Sequence, residues 1–180
     1  MADRLAAEIW IGGRIPQSLA DALCATISNQ GVALDWGGGP FTPAHATDLM
    51  SARDGEHLHL YDDRASWGQF ADLESFLQKH SIPFDRQSEG KCGYDPELVN
   101  YRPDRGVAAG ITTASGEPVV ETAELQPVVR SLDALGKQLR QGKITGVNVL
   151  RRIDRLDKLL RSKLPPVVPP LAPFVLEEGR

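Results

Sequence analysis

The first residues of the chain follow the hydrophobic pattern of a β-α-β unit. Residues 8–15 predict a strand, and residues 32–36 predict a second, shorter one. Between them, apolar residues four positions apart predict a helix from Ser18 to Gly31. Ser18 and Asp21, three residues apart, form a near capping box, and a glycine is a natural helix end.

Alternation of polar and apolar residues continues in the following segment. His57, His59 and Tyr61 alternate with Leu58 and Leu60, which predicts a strand with one polar and one buried face. The other elements predicted up to residue 120 are helices over 42–50 and 66–80, strands over 82–88 and 97–102, and a hairpin within 110–120 that turns at 115–117.

This order of elements predicts an α+β fold of the ferredoxin-like, split β-α-β type with an added β-hairpin. Right-handed crossovers in that fold place both helices on one face of a single sheet. A small three-layer α/β fold with helices on both faces is the alternative.

From residue 121 onward the pattern changes to that of two amphipathic helices. Thr122 is expected to cap the first helix, and Pro127 fits that helix only within its first turn. A break at 141–143 and a second helix over 145–163 complete a basic helical hairpin, and prolines then predict an extended tail. The predicted domains are an α+β domain over 1–120, the helical hairpin over 121–164 and the proline-rich tail over 165–180.

Composition excludes several classes of protein. The chain has 180 residues, of which 41% are hydrophobic and 24% are charged, so it is not disordered, collagenous or built on disulfides. Two cysteines are too few for a disulfide framework, and no secretory signal or membrane-length apolar segment is visible. We therefore expect a soluble, cytoplasmic protein with no membrane partner and no cofactor.

Charge is distributed unevenly along the chain. The formal net charge of −4 combines −8 in residues 1–120 with +4 in residues 121–180. Residues 137–163 contain nine basic and only two acidic side chains. A basic helix can bind phosphates, an acidic membrane or an acidic protein surface. It can also dock on the chain's own acidic N-terminal part or remain a solvated face. The residues predicted to bind a partner are Arg151, Arg152, Arg155, Lys158 and Arg161.

Candidate chemical groups are present, but none completes a motif. His57 and His59 could give two metal ligands, with Asp62, Asp63 and His45 as further donors. A polar sheet face is the alternative for the histidines, and the electrostatics of a helix N-terminus is the alternative for Asp62 and Asp63. The sequence assigns no catalytic residue and no metal ligand.

Two glycine-containing turns also invite a chemical interpretation. Gly12 and Gly13 could place backbone N–H groups around an anion, although phosphate-loop motifs are absent. Cys92 follows Lys91, and a neighbouring cation favours a thiolate, although the signatures of cysteine enzymes are missing. A tight turn and a hairpin-turn cysteine are the alternatives.

Together these features favour a non-enzymatic protein-binding or regulatory protein, such as a small adaptor or inhibitor. Its partner is expected to be another protein or a second copy of the chain. The PxxP sequence at 166–169 could dock in an aromatic groove, or the tail could pack along its own domain. The alternatives are a small metal- or cysteine-dependent enzyme and a nucleic-acid-associated protein that uses the basic helix.

Overall fold

The computed structural model describes residues 3–91, 93–113 and 115–177, so Cys92 lies outside the described residues. These residues form an α+β structure with a six-stranded antiparallel sheet and five helices. The chain divides into two units: residues up to Glu117 and from Val167 onward form the first, and Pro118–Pro166 forms the second.

The sheet of the first unit has the strand order β3-β4-β1-β5-β6-β7, and every neighbouring pair is antiparallel. A separate pair of short parallel strands is formed by β2 and β8. The strands are β1 Arg4–Ile11, β2 Arg14–Pro16, β3 Arg53–Asp54, β4 His57–Ser66, β5 Phe84–Ser88, β6 Glu97–Arg102, β7 Gly106–Ile111 and β8 Val175–Glu177.

Three helices belong to the first unit and two to the second. A 3-10 turn over Gln17–Leu19 precedes the first helix. In the first unit, α1 and α3 pack against each other. The helices are α1 Ala20–Gln30, α2 Ala46–Ser51, α3 Ala71–Lys79, α4 Thr122–Arg140 and α5 Gly146–Arg161.

The core of the first unit is formed by apolar residues that recur at strand spacing in the strands and at helix spacing in the helices. In the central strand β1, buried and partly exposed residues alternate, so one face of the strand is apolar. Leu58 and Leu60 of β4 are fully buried, as the alternation in this segment predicts. In α1, Leu23 and Ile27 are also fully buried, and Gly31 ends the helix with φ 74°.

The C-terminal segment completes this core. Phe174 is fully buried among the core residues, and Leu176 packs against them. The segment is held by backbone hydrogen bonds: Gly13 N–H donates to Ala172 O at 2.9 Å, and Phe174 N–H donates to Glu56 O at 2.7 Å. A packed tail was one of the two interpretations of this sequence.

Several predicted elements differ from the structure near the N-terminus. The strand predicted over 8–15 is instead β1 followed by β2, because the chain turns at Gly12-Gly13, where Gly13 has φ 83°. Ser18 lies in the 3-10 turn and makes no cap, so the capping-box prediction is wrong. The strand predicted over 32–36 is reduced to one bridge between Ala33 and Tyr61, because glycines follow at 37–39.

The helix predicted over 66–80 starts too early. Strand β4 continues to Ser66, and the chain then turns at Trp67 and Gly68, whose φ angles of 58° and 65° are incompatible with a right-handed helix. Asp62 and Asp63 consequently lie in β4 and do not begin a helix. The turn predicted at 115–117 is present, because Gly116 N–H donates to Thr113 O and Thr113 N–H donates to Glu117 O. The paired strands of this region, however, are β6 and β7, which turn at 103–105.

The second unit is a hairpin of α4 and α5, and its buried positions are few. Val128 and Leu135 are the buried apolar residues among those described in this unit. Thr122 is the first residue of α4 and does not cap it, and Pro127 is its sixth residue. The expectation of a first-turn proline is therefore wrong, and the missing proline N–H leaves a gap in the hydrogen bonding of α4.

Candidate functional site

The basic residues of α5 open onto a groove between α4 and α5. One cavity of about 550 Å³ is lined by Gln138, Lys143, Ile144, Asn148, Arg151, Arg152 and Arg155. A second cavity of about 340 Å³ shares three of these residues and continues along the helices to Ser131, Ala134 and Leu156. The two cavities therefore form one groove, named here the hairpin groove, whose lining includes four cations and no acid.

The structure divides the five predicted partner-binding residues into two groups. Arg151, Arg152 and Arg155 line the hairpin groove, whereas Lys158 and Arg161 line neither cavity. Arg161 donates to Asp157 at 2.8 Å one helical turn away, and this contact raises the pKa of Arg161. Its charge is thus already compensated on the surface of α5.

Arg152 connects the two walls of the groove. Its Nη1 donates to Oε1 of Gln138 on α4 at 2.5 Å. This contact positions one guanidinium of the groove lining without compensating its charge, because the glutamine is neutral. Sequence reasoning missed Gln138 and Asn148, since a polar residue on an exposed helix has no periodic signal that distinguishes it.

The N-terminus of α5 adds to the positive potential of the groove. Its first turn contains no acidic residue, and Thr145 makes no side-chain cap. Backbone N–H groups at the start of a helix carry partial positive charge. Lys143 and Asn148, at this end of α5, therefore lie where an acidic group is favoured.

Both helices that form the groove also expose large apolar side chains. In α4 and α5, several large apolar residues are between 38% and 64% exposed, although the heptad-like spacing of α4 is that of buried positions. They are Val129, Leu132, Leu139, Val147, Leu150, Ile153 and Leu159. A two-helix hairpin has only one inward side, so Val128 and Leu135 of α4 are buried while no residue of α5 is.

The histidine strand lies in the first unit and forms a different cluster. His59 is buried and stacks on Trp10, with 4.4 Å between the ring centroids. Its Nε2 lies 2.9 Å from Glu8 Oε2, and its Nδ1 lies 2.8 Å from the Tyr61 hydroxyl. Burial and the neighbouring carboxylate of Glu8 raise the pKa of Tyr61.

The structure separates the metal-ligand candidates. His57 contacts the carbonyl of Leu171 at 3.2 Å through Nε2, and His59 is engaged by Glu8 and Tyr61. Asp62 accepts a hydrogen bond from Arg64 N–H, and Asp63 accepts one from Gly37 N–H. Over residues 3–91, 93–113 and 115–177, no three His, Cys, Asp or Glu side chains come together as a metal site requires.

The remaining candidate groups also have structural partners. Gly12 and Gly13 form backbone hydrogen bonds with Pro83 O and Ala172 O. The other cysteine, Cys24, is buried in α1 as a small apolar group, and burial raises the pKa of its thiol. No helix in the described part of the chain is long and apolar enough to cross a membrane.

Comparison with known proteins returns no relative on which a function could be based. No protein-family model matches the chain, and neither the curated proteins nor the solved structures contain a significant match.

Proposed function

We propose that this protein is a non-enzymatic binding protein whose helical hairpin takes up an acidic, amphipathic segment of a partner protein. The observation that carries this proposal is the hairpin groove, in which Arg151, Arg152, Arg155 and Lys143 line one continuous cavity with no acid among them. Exposed apolar residues of the same two helices would contact the apolar face of the bound segment.

The apolar part of the argument concerns solvation. Burial of apolar surface contributes about 25 cal/mol per Å² removed from water, so exposed leucines and valines at heptad-like spacing favour association. Contiguous exposed apolar surface on a monomer is typical of interaction sites. An amphipathic helix laid along α4 and α5 would cover these side chains in the manner of a third bundle helix.

The net charge of the second unit favours an acidic partner. Residues 118–166 contain ten basic and five acidic side chains, which gives a net charge of +5. Two copies of the hairpin would repel one another, whereas an acidic segment would be attracted and oriented. This balance favours a foreign acidic protein over self-association through the hairpin.

Nucleic acid is the competing source of negative charge. Phe174 is the only aromatic residue in 121–180, so the hairpin offers no stacking platform for bases. Apolar side chains beside the groove gain nothing from a phosphate backbone. Both features favour a protein over a nucleic acid.

The test compares two charge-reversed variants of the full-length chain. Arg151→Glu with Arg155→Glu reverses two cations in the groove. Arg130→Glu with Lys137→Glu reverses two cations of α4 that line neither cavity. We expect the wild type to copurify from native extract with a defined acidic protein. The groove variant should bind it at least about tenfold more weakly, and the α4 variant should bind it normally.

Three outcomes would contradict the proposal. The first is a wild type that elutes without any bound protein on size-exclusion chromatography. The second is equal loss of binding in both variants, which would indicate a diffuse electrostatic attraction. The third is retention of nucleic acid in place of protein, with binding that weakens steeply as salt concentration rises.

The ferredoxin-like topology predicted for the first domain also remains a proposal. Strands β5, β1 and β4 are neighbours in the sheet, and Ala33 forms a bridge with Tyr61 of β4. If the segment at Ala33 is counted as the second strand, this is the strand order of the ferredoxin-like fold. Packing of α1 on α3 supports helices on a common face. Strands β6 and β7 would then be the added hairpin.

A further inference from the structure

Four rings form a continuous row across the face of the sheet that α1 and α3 do not cover. Trp10 stacks on His59, His59 contacts Tyr61 at 4.1 Å between centroids, and Trp36 meets Tyr61 edge to face at 4.8 Å. Trp36 remains 42% exposed. Register explains the row, because Trp10 lies opposite His59 and Ala33 pairs with Tyr61, which brings the following loop and its Trp36 alongside.

The loop that presents Trp36 is fixed by hydrogen bonds. Trp36 N–H donates to Asp35 Oδ1 at 2.8 Å, and Gly37 N–H donates to Asp63 Oδ2 at 3.1 Å. Gly38 N–H donates to Asp35 O at 3.1 Å. These hydrogen bonds hold the loop backbone, so the exposed Trp36 is presented in a fixed position before any ligand binds.

The Tyr61 oxygen keeps an acceptor position that a ligand can use. Ionised Glu8 can only accept, so Nε2 of His59 donates to it at 2.9 Å. The Tyr61 hydroxyl lies 2.8 Å from Nδ1 of His59. A phenol oxygen has two lone pairs, so Tyr61 keeps at least one of them for a donor from outside, whichever atom donates in its contact with His59.

Acidic side chains lie beside the row. Asp54 lies 3.8 Å from His59 Nδ1, and Glu8, Asp54 and Asp35 all contribute to the raised pKa of Tyr61. Arg53, in the neighbouring strand β3, is engaged by backbone carbonyls: its Nε donates to Met50 O at 3.2 Å and its Nη1 donates to Phe174 O at 3.4 Å. Aromatic faces with acceptor oxygens and carboxylates beside them suit a planar cationic donor.

We infer that this aromatic row binds a guanidinium group, as carried by an arginine side chain of a peptide or protein ligand. The planar cation would stack on the exposed face of Trp36 and donate to the Tyr61 oxygen and to the carboxylates beside it. This site lies in the first unit and uses none of the residues of the hairpin groove, so it is independent of the function proposed above.

The test uses N-acetyl-arginine methylamide as the probe, with the full-length protein and the tryptophan indole N–H signals in a nitrogen-correlated NMR spectrum. N-acetyl-citrulline methylamide is the matched control ligand, because it keeps the planar shape and loses the charge. We expect saturable shifts of the Trp36 and Trp10 signals with the arginine probe, and binding of the citrulline probe roughly tenfold weaker or weaker still.

Variants assign the contacts. Tyr61→Phe keeps the ring and removes the acceptor, and Trp36→Ala removes an exposed ring, so each should weaken arginine binding several-fold. Tyr94→Phe is the matched control, because Tyr94 contacts Trp67 in another part of the unit. Circular dichroism verifies that each variant is folded.

Equal binding of the arginine and citrulline probes would overturn the inference. So would the absence of saturable shifts up to the solubility limit of the arginine probe. Arginine binding that is the same in Trp36→Ala as in the wild type would overturn it as well, because this exposed side chain has no part in the core.

Discussion

The two units of the molecule differ in how much of their apolar surface they bury. In the first unit, the sheet and its helices enclose a core in which residues such as Ile9, Leu58 and Phe84 are fully buried. In the second, α4 and α5 bury Val128 and Leu135 but leave Leu150 64% exposed. Charge differs in the same way, because the hairpin unit carries +5 and the rest of the chain carries nineteen acidic and ten basic side chains, a net of −9.

This difference shows where an interaction surface is expected. A unit that has already buried its apolar faces gains little by association, whereas a two-helix hairpin with exposed leucines gains both stability and contacts. The first unit can therefore act as a stable scaffold, and its own candidate site consists of polar and aromatic groups on a rigid sheet. The hairpin instead offers apolar area and positive charge.

The largest expected loss of stability comes from removing the C-terminal contribution to the core of the first unit. Phe174→Ala should destabilise the protein by about 4 kcal/mol, because it deletes a fully buried aromatic ring and leaves a cavity. Val167→Ala is the control in the same segment, since Val167 is 88% exposed. Urea unfolding followed by tryptophan fluorescence measures both. A loss below 1 kcal/mol for Phe174→Ala would show that the first unit is complete without this segment.

The second prediction concerns the buried ion pair that ties the same segment to the sheet. Arg102→Ala should cost about 3 kcal/mol, because it leaves Asp85 without its partner at 2.7 Å and also removes the donors to Pro169 O. Arg105→Ala removes one exposed donor, to Val167 O, and should cost less than about 1 kcal/mol. Equal losses in urea unfolding would indicate that burial of Arg102 is energetically unimportant.

The sequence predicted elements correctly where the apolar residues follow a single strand or helix spacing. The alternation around Leu58 and Leu60, the α1 stripe and the two C-terminal helices are confirmed, because apolar spacing there agrees with local propensity. It failed at 66–70, where a helical apolar pattern is overridden by left-handed backbone at Trp67 and Gly68. Backbone conformation of this kind leaves no periodic trace.

The candidate sites show the same limit. Clustering of Arg151 and Arg155 on one face of α5 follows from their spacing of four. The partnership of His59 with Glu8 depends on the pairing of β1 with β4, two strands that are about fifty residues apart in sequence. Antiparallel register can be read only from the folded sheet, so no local motif could have predicted the Glu8–His59–Tyr61 chain.

A third prediction compares two leucines within the hairpin. Leu135→Ala should destabilise the hairpin by about 2 kcal/mol, because Leu135 is only 4% exposed, whereas Leu132 is 49% exposed and its replacement should cost less than about 1 kcal/mol. Thermal melting of helical circular dichroism in the isolated, partner-free protein measures both. Equal effects would show that Leu132 is already buried in solution, as it would be in a self-associated form.

The smallest effect concerns a carboxylate that stabilises a helix start in the first unit. Asp48 Oδ2 accepts hydrogen bonds from the N–H groups of Ala44 at 2.8 Å and His45 at 2.9 Å, and these bonds lower the pKa of Asp48. In α4 and α5, by contrast, no side chain caps the N-terminus. A lowered pKa in the folded state means that the ionised carboxylate stabilises the fold above the unfolded-state pKa of about 3.9.

This contribution should disappear as the pH falls through the lowered folded-state pKa. The stability difference between the wild type and Asp48→Asn is therefore expected to be constant near neutral pH and to shrink below about pH 4. Urea unfolding at a series of pH values measures this difference. Asp133→Asn in α4 removes the same charge from the hairpin unit and serves as the control. If the difference for Asp48→Asn were independent of pH, the asparagine amide oxygen would be accepting the same two hydrogen bonds, and the charge of Asp48 would contribute nothing to the helix start.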